Sequence, residues 1–149
     1  MTPTTAKYRA ELADLLEKQP ASMALSVSWN DHRVSMDRIY HDLRLLHQMV
    51  DRKIYRQRYS RSADRSSFWA IIELLDRHPH AHLGWYLPPH GPAILADLLD
   101  NKGRWKQIAP AGSHDLQPWY DGCWAAYAAK AVINSTENLI FSDDFINHK

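Results

Sequence analysis

The sequence predicts an α+β protein in which helices pack on the faces of a central antiparallel β-sheet. Segments with helical and with strand periodicity are interspersed along the chain. Two strand-like segments in its middle are joined through DRHPH at 76–80, a length that suits a hairpin connection. The length of 149 residues and the apolar share of 45% suit one domain with a buried core.

Three elements are predicted in the first part of the chain. Residues 5–18 place apolar side chains on one helical face, and Pro20 ends that pattern. Residues 23–29 alternate larger apolar side chains with alanine and serine, which is typical of a half-buried strand. A longer helix is predicted from about Met36 into the fifties, because apolar residues recur at steps of three and four: Ile39, Leu43, Leu46, Val50 and Ile54.

Shorter patterns predict the remaining elements. Residues 67–75 and 80–87 are the two hairpin strands, rich in aromatic and β-branched side chains. Residues 92–99 open with a proline, as the first turn of a short helix tolerates. Beyond that helix the sequence predicts a strand, a loop, an alanine-rich helix and a polar tail, over 104–109, 110–120, about 122–133 and 134–149 in turn.

Composition excludes several classes of protein. Lys and Arg number 18 against 17 Asp and Glu, so the formal charge of +1 excludes a histone-like polycation. A single cysteine excludes a scaffold held by internal disulfides. No apolar run approaches the ~18 residues of a membrane-spanning helix, and no secretory signal pattern opens the chain. We therefore expect a cytoplasmic protein without a membrane partner.

One segment is strongly basic despite this overall balance. Residues 52–65 contain six cations and one anion, and Tyr55 and Tyr59 lie between the cations. Cations that follow phosphates, together with aromatic rings that stack on bases, are what a single-stranded nucleic-acid groove uses. The alternative is a solvated helix end. The candidate DNA-binding residues are Arg52, Lys53, Arg56, Arg58 and Arg61.

Two histidines define a candidate metal site. His80 and His82 are two residues apart in a predicted strand, so they point to one face of the sheet. If residues 76–79 form the hairpin turn, Glu73 lies directly opposite His82. Two imidazoles and one carboxylate can hold a divalent metal and leave positions for a substrate oxygen. Gly84, next on that face, would leave space there. Hydrogen-bonded histidines without a metal are the alternative.

A second candidate pair lies on the alanine-rich helix. Tyr127 and Lys130 are three residues apart and share a helical face. An ammonium beside a phenol favours its ionised form, so Tyr127 is a candidate nucleophile. Lys130 is a candidate for neutralising charge on a phosphate. A core aromatic and a solvated lysine are the alternatives, and Tyr120 is a rival nucleophile that has no lysine three residues later.

His-hydrophobic-His on a strand, followed by Tyr-x-x-Lys on a helix, resembles the HUH endonucleases, more narrowly their single-tyrosine rolling-circle replication initiator (Rep) nucleases. The matching segments are ALSVSW at 24–29, HAH at 80–82 and YAAK at 127–130. The resemblance covers about residues 23–133 and implies a single HUH Rep-like nuclease domain over 1–149. No phosphate-loop pattern GxxxxGKS or GxxxxGKT occurs, so no helicase domain is expected.

The resemblance implies site-specific nicking and rejoining of single-stranded DNA, in rolling-circle replication or mobile-element processing. His80 and His82 would bind Mn²⁺ or Mg²⁺ with Glu73 as third ligand. Tyr127 would attack the scissile phosphate and keep the 5′ end as a phosphotyrosine, while Lys130 would orient the phosphate. The implied partners are single-stranded or hairpin origin DNA and a separate host helicase.

Two other functions remain open. One is a non-catalytic single-stranded nucleic-acid-binding module of the same fold, which would need neither metal nor Tyr127. The other is a zinc-binding protein that uses the histidine cluster. Two further histidines, His41 and His47, lie on the long predicted helix and are expected at its surface.

Overall fold

The fold is the predicted α+β arrangement, a five-stranded antiparallel sheet with helices on both faces. The computed structural model describes residues 3–18, 21–56, 65–73, 78–119 and 139–147. The strands are β1 Met23–Ser28, β2 Ser67–Glu73, β3 His80–Tyr86, β4 Ser113–Pro118 and β5 Leu139–Phe141. The helices are α1 Pro3–Lys18, α2 Met36–Tyr55, α3 Gly91–Ala96 with a π-helical turn Asp97–Asn101, α4 Arg104–Ile108 and α5 Asp143–Asn147. No helix in the described ranges is long and apolar enough to cross a membrane.

The strand order places β3 at the centre of the sheet. The order is β4-β1-β3-β2-β5, and every neighbouring pair is antiparallel. β1 and β2 therefore run parallel with β3 between them, and β3 and β4 run parallel with β1 between them. Two such split βαβ units form the ferredoxin-like topology, here extended by β5. Both histidines of the candidate metal site thus lie on the central strand.

The main hydrophobic core lies between one face of the sheet and helices α2, α3 and α4. α2 begins where the Ser35 hydroxyl accepts a hydrogen bond from the backbone N–H of Arg38 at 3.2 Å, an N-cap that satisfies one free donor of the first turn. The apolar stripe predicted for this helix is fully buried, and it packs on alternate residues of the strands, including Leu25, Phe68 and Trp85.

The opposite face of the sheet, which carries His80 and His82 and is called the histidine face below, has two different halves. Leu12 and Leu16 of α1 pack on Trp69 and Ile71 of β2, which makes one half apolar and covered. Leu15, on the same predicted stripe of α1, is 49% exposed. The other half, over β1 and β3, carries the polar side chains of the candidate site.

Two sequence predictions about the fold are wrong, and the polar tail contains elements that the sequence did not predict. Residues 104–109 form helix α4 and not a strand, because Trp105 and Ile108, three residues apart, both enter the main core. The predicted loop over 110–120 contains β4, an edge strand whose mostly exposed polar side chains hide the strand pattern. The polar tail contains β5 and α5. The helix predicted over about 122–133 lies outside the described residues.

Candidate active site

The register of the central hairpin differs from the prediction by two residues. Glu73 lies opposite His80 and not opposite His82, because residues 74–79 connect the strands in place of the four-residue turn. A shift of two residues leaves every side chain on its original face, whereas a shift of one would reverse it. Glu73, His80 and His82 therefore share the histidine face as expected.

Glu73 on β2 and His82 on β3 are in direct contact. Glu73 Oε2 lies 3.1 Å from His82 Nε2, along the diagonal between neighbouring strands. The side chain of His82 is 7% exposed and that of Glu73 is 36% exposed. A carboxylate only accepts hydrogen bonds, so in this contact Nε2 of His82 donates its hydrogen. The imidazole is thus enclosed while its carboxylate partner remains open to solvent.

Nδ1 of each imidazole lies close to a protein oxygen. Nδ1 of His82 lies 3.2 Å from the hydroxyl of Ser26, its cross-strand neighbour on β1. Nδ1 of His80 lies 2.8 Å from the backbone carbonyl oxygen of His78. Because a carbonyl only accepts, this Nδ1 carries a hydrogen, and Nε2 is the nitrogen of His80 left to face a ligand. Fixing Nδ1 through a protein oxygen while Nε2 faces a ligand is typical of metal-binding histidines, and His80 has this arrangement. Nε2 of His82 is instead turned to Glu73 and would have to release its hydrogen to bind a metal.

The three predicted metal ligands are only partly brought together. Glu73 contacts His82, whereas the hydrogen bond of His80 is to His78. No group of three or more His, Cys, Asp or Glu side chains in the described part of the chain is placed to hold a metal ion. The donor types suit Mn²⁺, which accepts both imidazole and carboxylate ligands. The metal site therefore stays a prediction whose donor chemistry fits.

The space expected above Gly84 is filled by an indole ring. A Cβ atom built at Gly84 would lie 2.5 Å from Cε2 of Trp69, so the glycine is needed for this close approach. Trp69 is 2% exposed, and its Nε1 has no hydrogen-bond partner among the described residues. The same ring packs edge-on against Trp119 at a centroid distance of 6.1 Å. Trp69 thus separates the polar half of the histidine face from its apolar half.

The predicted nucleophile pair lies outside the described residues, as do Arg58 and Arg61. This applies to both Tyr127 and Lys130. The described residues on either side of that segment are Trp119 and Leu139, and both pack against the apolar cluster on the histidine face. The chain therefore leaves and re-enters the described structure on the face that carries His82.

The described members of the predicted DNA-binding set lie on the side of the sheet opposite the histidine face. Arg52 and Lys53, in the last turns of α2, line a groove in the helical layer, and Arg56 follows at the exposed end of this helix. Because α2 packs on the core face, this groove is separated from the histidine face by the sheet itself. The predicted DNA-binding residues and the predicted metal ligands thus do not share one surface in the described structure.

One histidine was expected at the surface and is buried. His47 is 3% exposed, and its Nε2 lies 2.8 Å from the backbone carbonyl of Ser66 and 3.3 Å from Oδ2 of Asp51. Burial raises the pKa of the Asp51 carboxyl, and the contact with His47 opposes that rise. The sequence did indicate this burial, since His47 is four residues before Asp51 and lies on the same helical face as the apolar stripe of α2. His41 is exposed as expected.

Sequence reasoning also missed Ser26, which holds Nδ1 of His82. Its signal was the alternation of β1, which places a polar side chain between buried Leu25 and Val27 and so on the histidine face. Together, Ser26, His82 and Glu73 form one hydrogen-bonded series across three strands.

Comparison with protein-family models, with curated proteins and with solved structures found no match for this chain.

Proposed function

We propose that this chain is a metal-dependent HUH-type endonuclease that nicks and rejoins single-stranded DNA through a tyrosine. The observation that carries the proposal is the hydrogen-bonded series of Ser26, His82 and Glu73 beside His80 on the central strand. The enclosed imidazole of His82 and the partly exposed imidazole of His80 each have Nδ1 engaged and lie near a solvent-accessible carboxylate. This set is suited to binding a cation once Nε2 of His82 releases its hydrogen.

His80, His82 and Glu73 would hold the metal, which is Mn²⁺ or Mg²⁺ in this proposal. Two imidazoles favour Mn²⁺, and a carboxylate suits either ion. When bound, such an ion polarises a phosphoryl oxygen of the scissile phosphate. The Ser26 hydroxyl and the carbonyl of His78 would keep the two rings oriented. A serine hydroxyl both donates and accepts, so Ser26 remains a partner whichever nitrogen of His82 carries the hydrogen.

Tyr127 would be the nucleophile. Its oxygen forms a bond to phosphorus while the bond from phosphorus to the 3′ oxygen breaks, and the departing oxygen takes a proton to become a 3′ hydroxyl. The 5′ end stays on the protein as a phosphotyrosine, and reversal of the same exchange joins strands. Lys130 would neutralise charge on the phosphate. This assignment is supported by Trp119 and Leu139, which flank the tyrosine segment on the histidine face.

The substrate in this proposal is single-stranded or hairpin origin DNA, held with help from basic residues at the end of α2 and beyond it. The setting is the cytoplasm, in rolling-circle replication or mobile-element processing. Because only a nuclease domain is proposed, unwinding would come from a separate host helicase. The basic residues concerned are Arg52, Lys53, Arg56, Arg58 and Arg61.

A covalent-adduct assay tests the proposal. The protein is mixed with a pool of labelled single-stranded oligonucleotides and Mn²⁺, and the products are separated on a denaturing gel. We expect the label to stay with the wild-type protein and with Tyr120→Phe, the matched control. Tyr127→Phe and a sample with a chelator should carry no label. An adduct that persists in Tyr127→Phe, or that forms without metal, would overturn the proposal.

A non-catalytic single-stranded nucleic-acid-binding module is the second candidate. It is favoured by one observation, that Arg52 and Lys53 lie on the side of the sheet away from His80 and His82. DNA binding could then proceed without the histidine face. Tight, salt-sensitive DNA binding with no adduct on any pooled sequence would support it. Tetrahedral zinc binding without DNA affinity would instead support a zinc protein.

A further inference from the structure

A groove in the helical layer combines an apolar floor with a basic rim. It lies between α2 and the segment from the π-helical turn to α4, and it has a volume of about 360 Å³. The floor contains Leu45, Met49 and Leu98, and Gln48 lies beside it. The rim contains four cations from two separate parts of the chain, Arg52, Lys53, Lys102 and Arg104. It is called the α2–α4 groove below.

A left-handed glycine brings the second pair of cations to this rim. Gly103 has φ of 61°, a conformation that costs a residue with a side chain extra strain, and it separates Lys102 from Arg104. The chain therefore turns sharply after the π-helical turn and starts α4 beside α2. Cations far apart in sequence meet at one groove as a consequence.

The ion pair of Lys102 leaves room for an anion. Lys102 Nζ lies 3.4 Å from Oδ2 of Asp97, and both side chains are nearly half exposed, so the ion pair contributes little to stability. The side chains of Asn101, then Lys102 and Lys53, hold the pKa of Asp97 below its usual value, which places Lys53 close enough to act on the same carboxylate. An arriving phosphate would meet positive charge from both sides of the groove.

Arg104 supplies the observation that points to a ligand. Its Nη1 donates a hydrogen bond to Oε1 of Gln107 at 2.7 Å. Its Nε is buried and has no acceptor in the described part of the chain. A buried donor without a partner is unfavourable, and pairing with a phosphate oxygen would relieve this. Arginine binds phosphate through several donors in one plane, whereas lysine acts as a point charge.

We propose that the α2–α4 groove binds a phosphodiester of single-stranded DNA, on the opposite side of the sheet from His80 and His82. The cations would contact the phosphate, and the apolar floor would accept a sugar or base, as in other single-strand grooves. The volume suits a small part of a strand and no folded partner. This inference rests on the proposed function in one respect, the choice of DNA as the ligand.

Binding of a labelled oligothymidylate, followed by fluorescence anisotropy without metal, tests this inference. Binding weakens as salt rises, and each lost phosphate contact reduces the magnitude of the slope of log Kobs against log salt by about 0.7 for a single strand. We expect Lys102→Gln/Arg104→Gln to lower that slope by about 1.4, twice the contribution of one contact. Lys106→Gln, a charge removed from the same helix but outside the groove, should leave the slope nearly unchanged. Circular dichroism and thermal melting confirm that each variant is folded.

Three outcomes would overturn the inference. An unchanged slope in the double variant would show that the groove makes no DNA contact. A fall of the same size per charge in Lys106→Gln would show a response to total charge only. A free nucleoside 5′-monophosphate that stabilises the wild type and not the double variant, while oligothymidylate binding is equal in both, would assign the groove to a small nucleotide.

Arg104→Lys separates the effect of charge from the effect of donor geometry. It keeps the charge and loses the planar set of donors, so we expect weaker binding than wild type with a slope closer to wild type than that of the double variant. Because these measurements omit metal, they report the groove alone. A failed adduct assay with groove-dependent binding would reject the nuclease and keep the groove. A positive adduct assay with groove-independent binding would do the reverse.

Discussion

Two histidines of the described residues are buried, each beside a carboxylate and a serine, on opposite faces of the sheet. On the histidine face, His82 contacts Glu73 through Nε2 and Ser26 through Nδ1. In the main core, Nε2 of His47 contacts both the carboxylate of Asp51 and the backbone carbonyl of Ser66. The clusters differ mainly in their carboxylates, because the side chain of Glu73 is 36% exposed and that of Asp51 is fully buried.

The core cluster is buried as a whole. The hydroxyl and backbone N–H of Ser66 both donate to Oδ1 of Asp51, at 2.5 and 3.2 Å, and Nε1 of Trp85 donates to the same hydroxyl at 2.9 Å. The cluster thereby ties α2 to the start of β2 inside the core. The two clusters hold the same residue types, so residue types alone do not distinguish them. Access of solvent to the carboxylate does, and it makes the histidine face the candidate for binding a ligand.

The largest expected effect is on metal affinity at the histidine face. His82→Ala removes a proposed ligand, so we expect the affinity for Mn²⁺ to fall by more than about 100-fold, the upper range for loss of an outer-shell partner. Isothermal titration calorimetry measures it. Asp51→Asn is the matched control and should bind Mn²⁺ like the wild type. Equal losses in both variants would mean that the two clusters do not differ in the way proposed.

Stability should respond in the opposite order. Asp51→Ala leaves the Ser66 donors and His47 without their buried partner, so we expect the free energy of unfolding to fall by about 3 kcal/mol. Glu73→Ala removes a half-open carboxylate and should cost less than about 1 kcal/mol. Urea unfolding of both variants measures this difference. A larger loss from Glu73→Ala would show that the histidine-face contact is chiefly structural.

Ser26 tests whether the orientation of His82 matters beyond the ligands themselves. Ser26→Ala removes the oxygen that holds Nδ1, and we expect Mn²⁺ affinity to fall by about 10-fold. Ser26→Thr keeps the hydroxyl on a strand position and should restore most of the affinity. Calorimetry at constant pH provides the measurement. If alanine and threonine bind Mn²⁺ equally well, Ser26 does not position the ring.

The parts of the fold that the sequence predicted correctly have strong periodicity. α2 repeats apolar residues over about four turns, and β1 and β3 alternate, so one face of each was evident. β2 was predicted from its continuous run of aromatic and β-branched residues. β4 was missed because an edge strand with exposed side chains needs no apolar alternation. α4 was missed because one turn of helix offers too few residues to distinguish a period of 3.6 from a period of 2.

The site was predictable in its face and not in its contacts. Glu73, His80 and His82 share a face because strand alternation fixes it, and a register error of two residues does not change it. The partnership of His82 with Ser26 depends on how β1 pairs with β3, a long-range choice that the local pattern does not contain. The burial of His47 depends in the same way on what packs over α2.

The smallest expected effect is a dependence of stability on pH that belongs to the core cluster alone. Burial raises the pKa of Asp51, so the folded protein binds a proton there more readily than the unfolded chain. The resulting stabilisation is fully present below the unfolded pKa of about 3.9 and is lost as pH rises through the folded value. Asp51→Asn has no proton to bind at this position. We therefore expect the stability of the wild type relative to this variant to be greatest in acid and to decline toward neutral pH, in urea unfolding at matched pH values. A relative stability that rises from acid to neutral pH would mean that the carboxylate is better stabilised as an anion, as at an open site like Glu73.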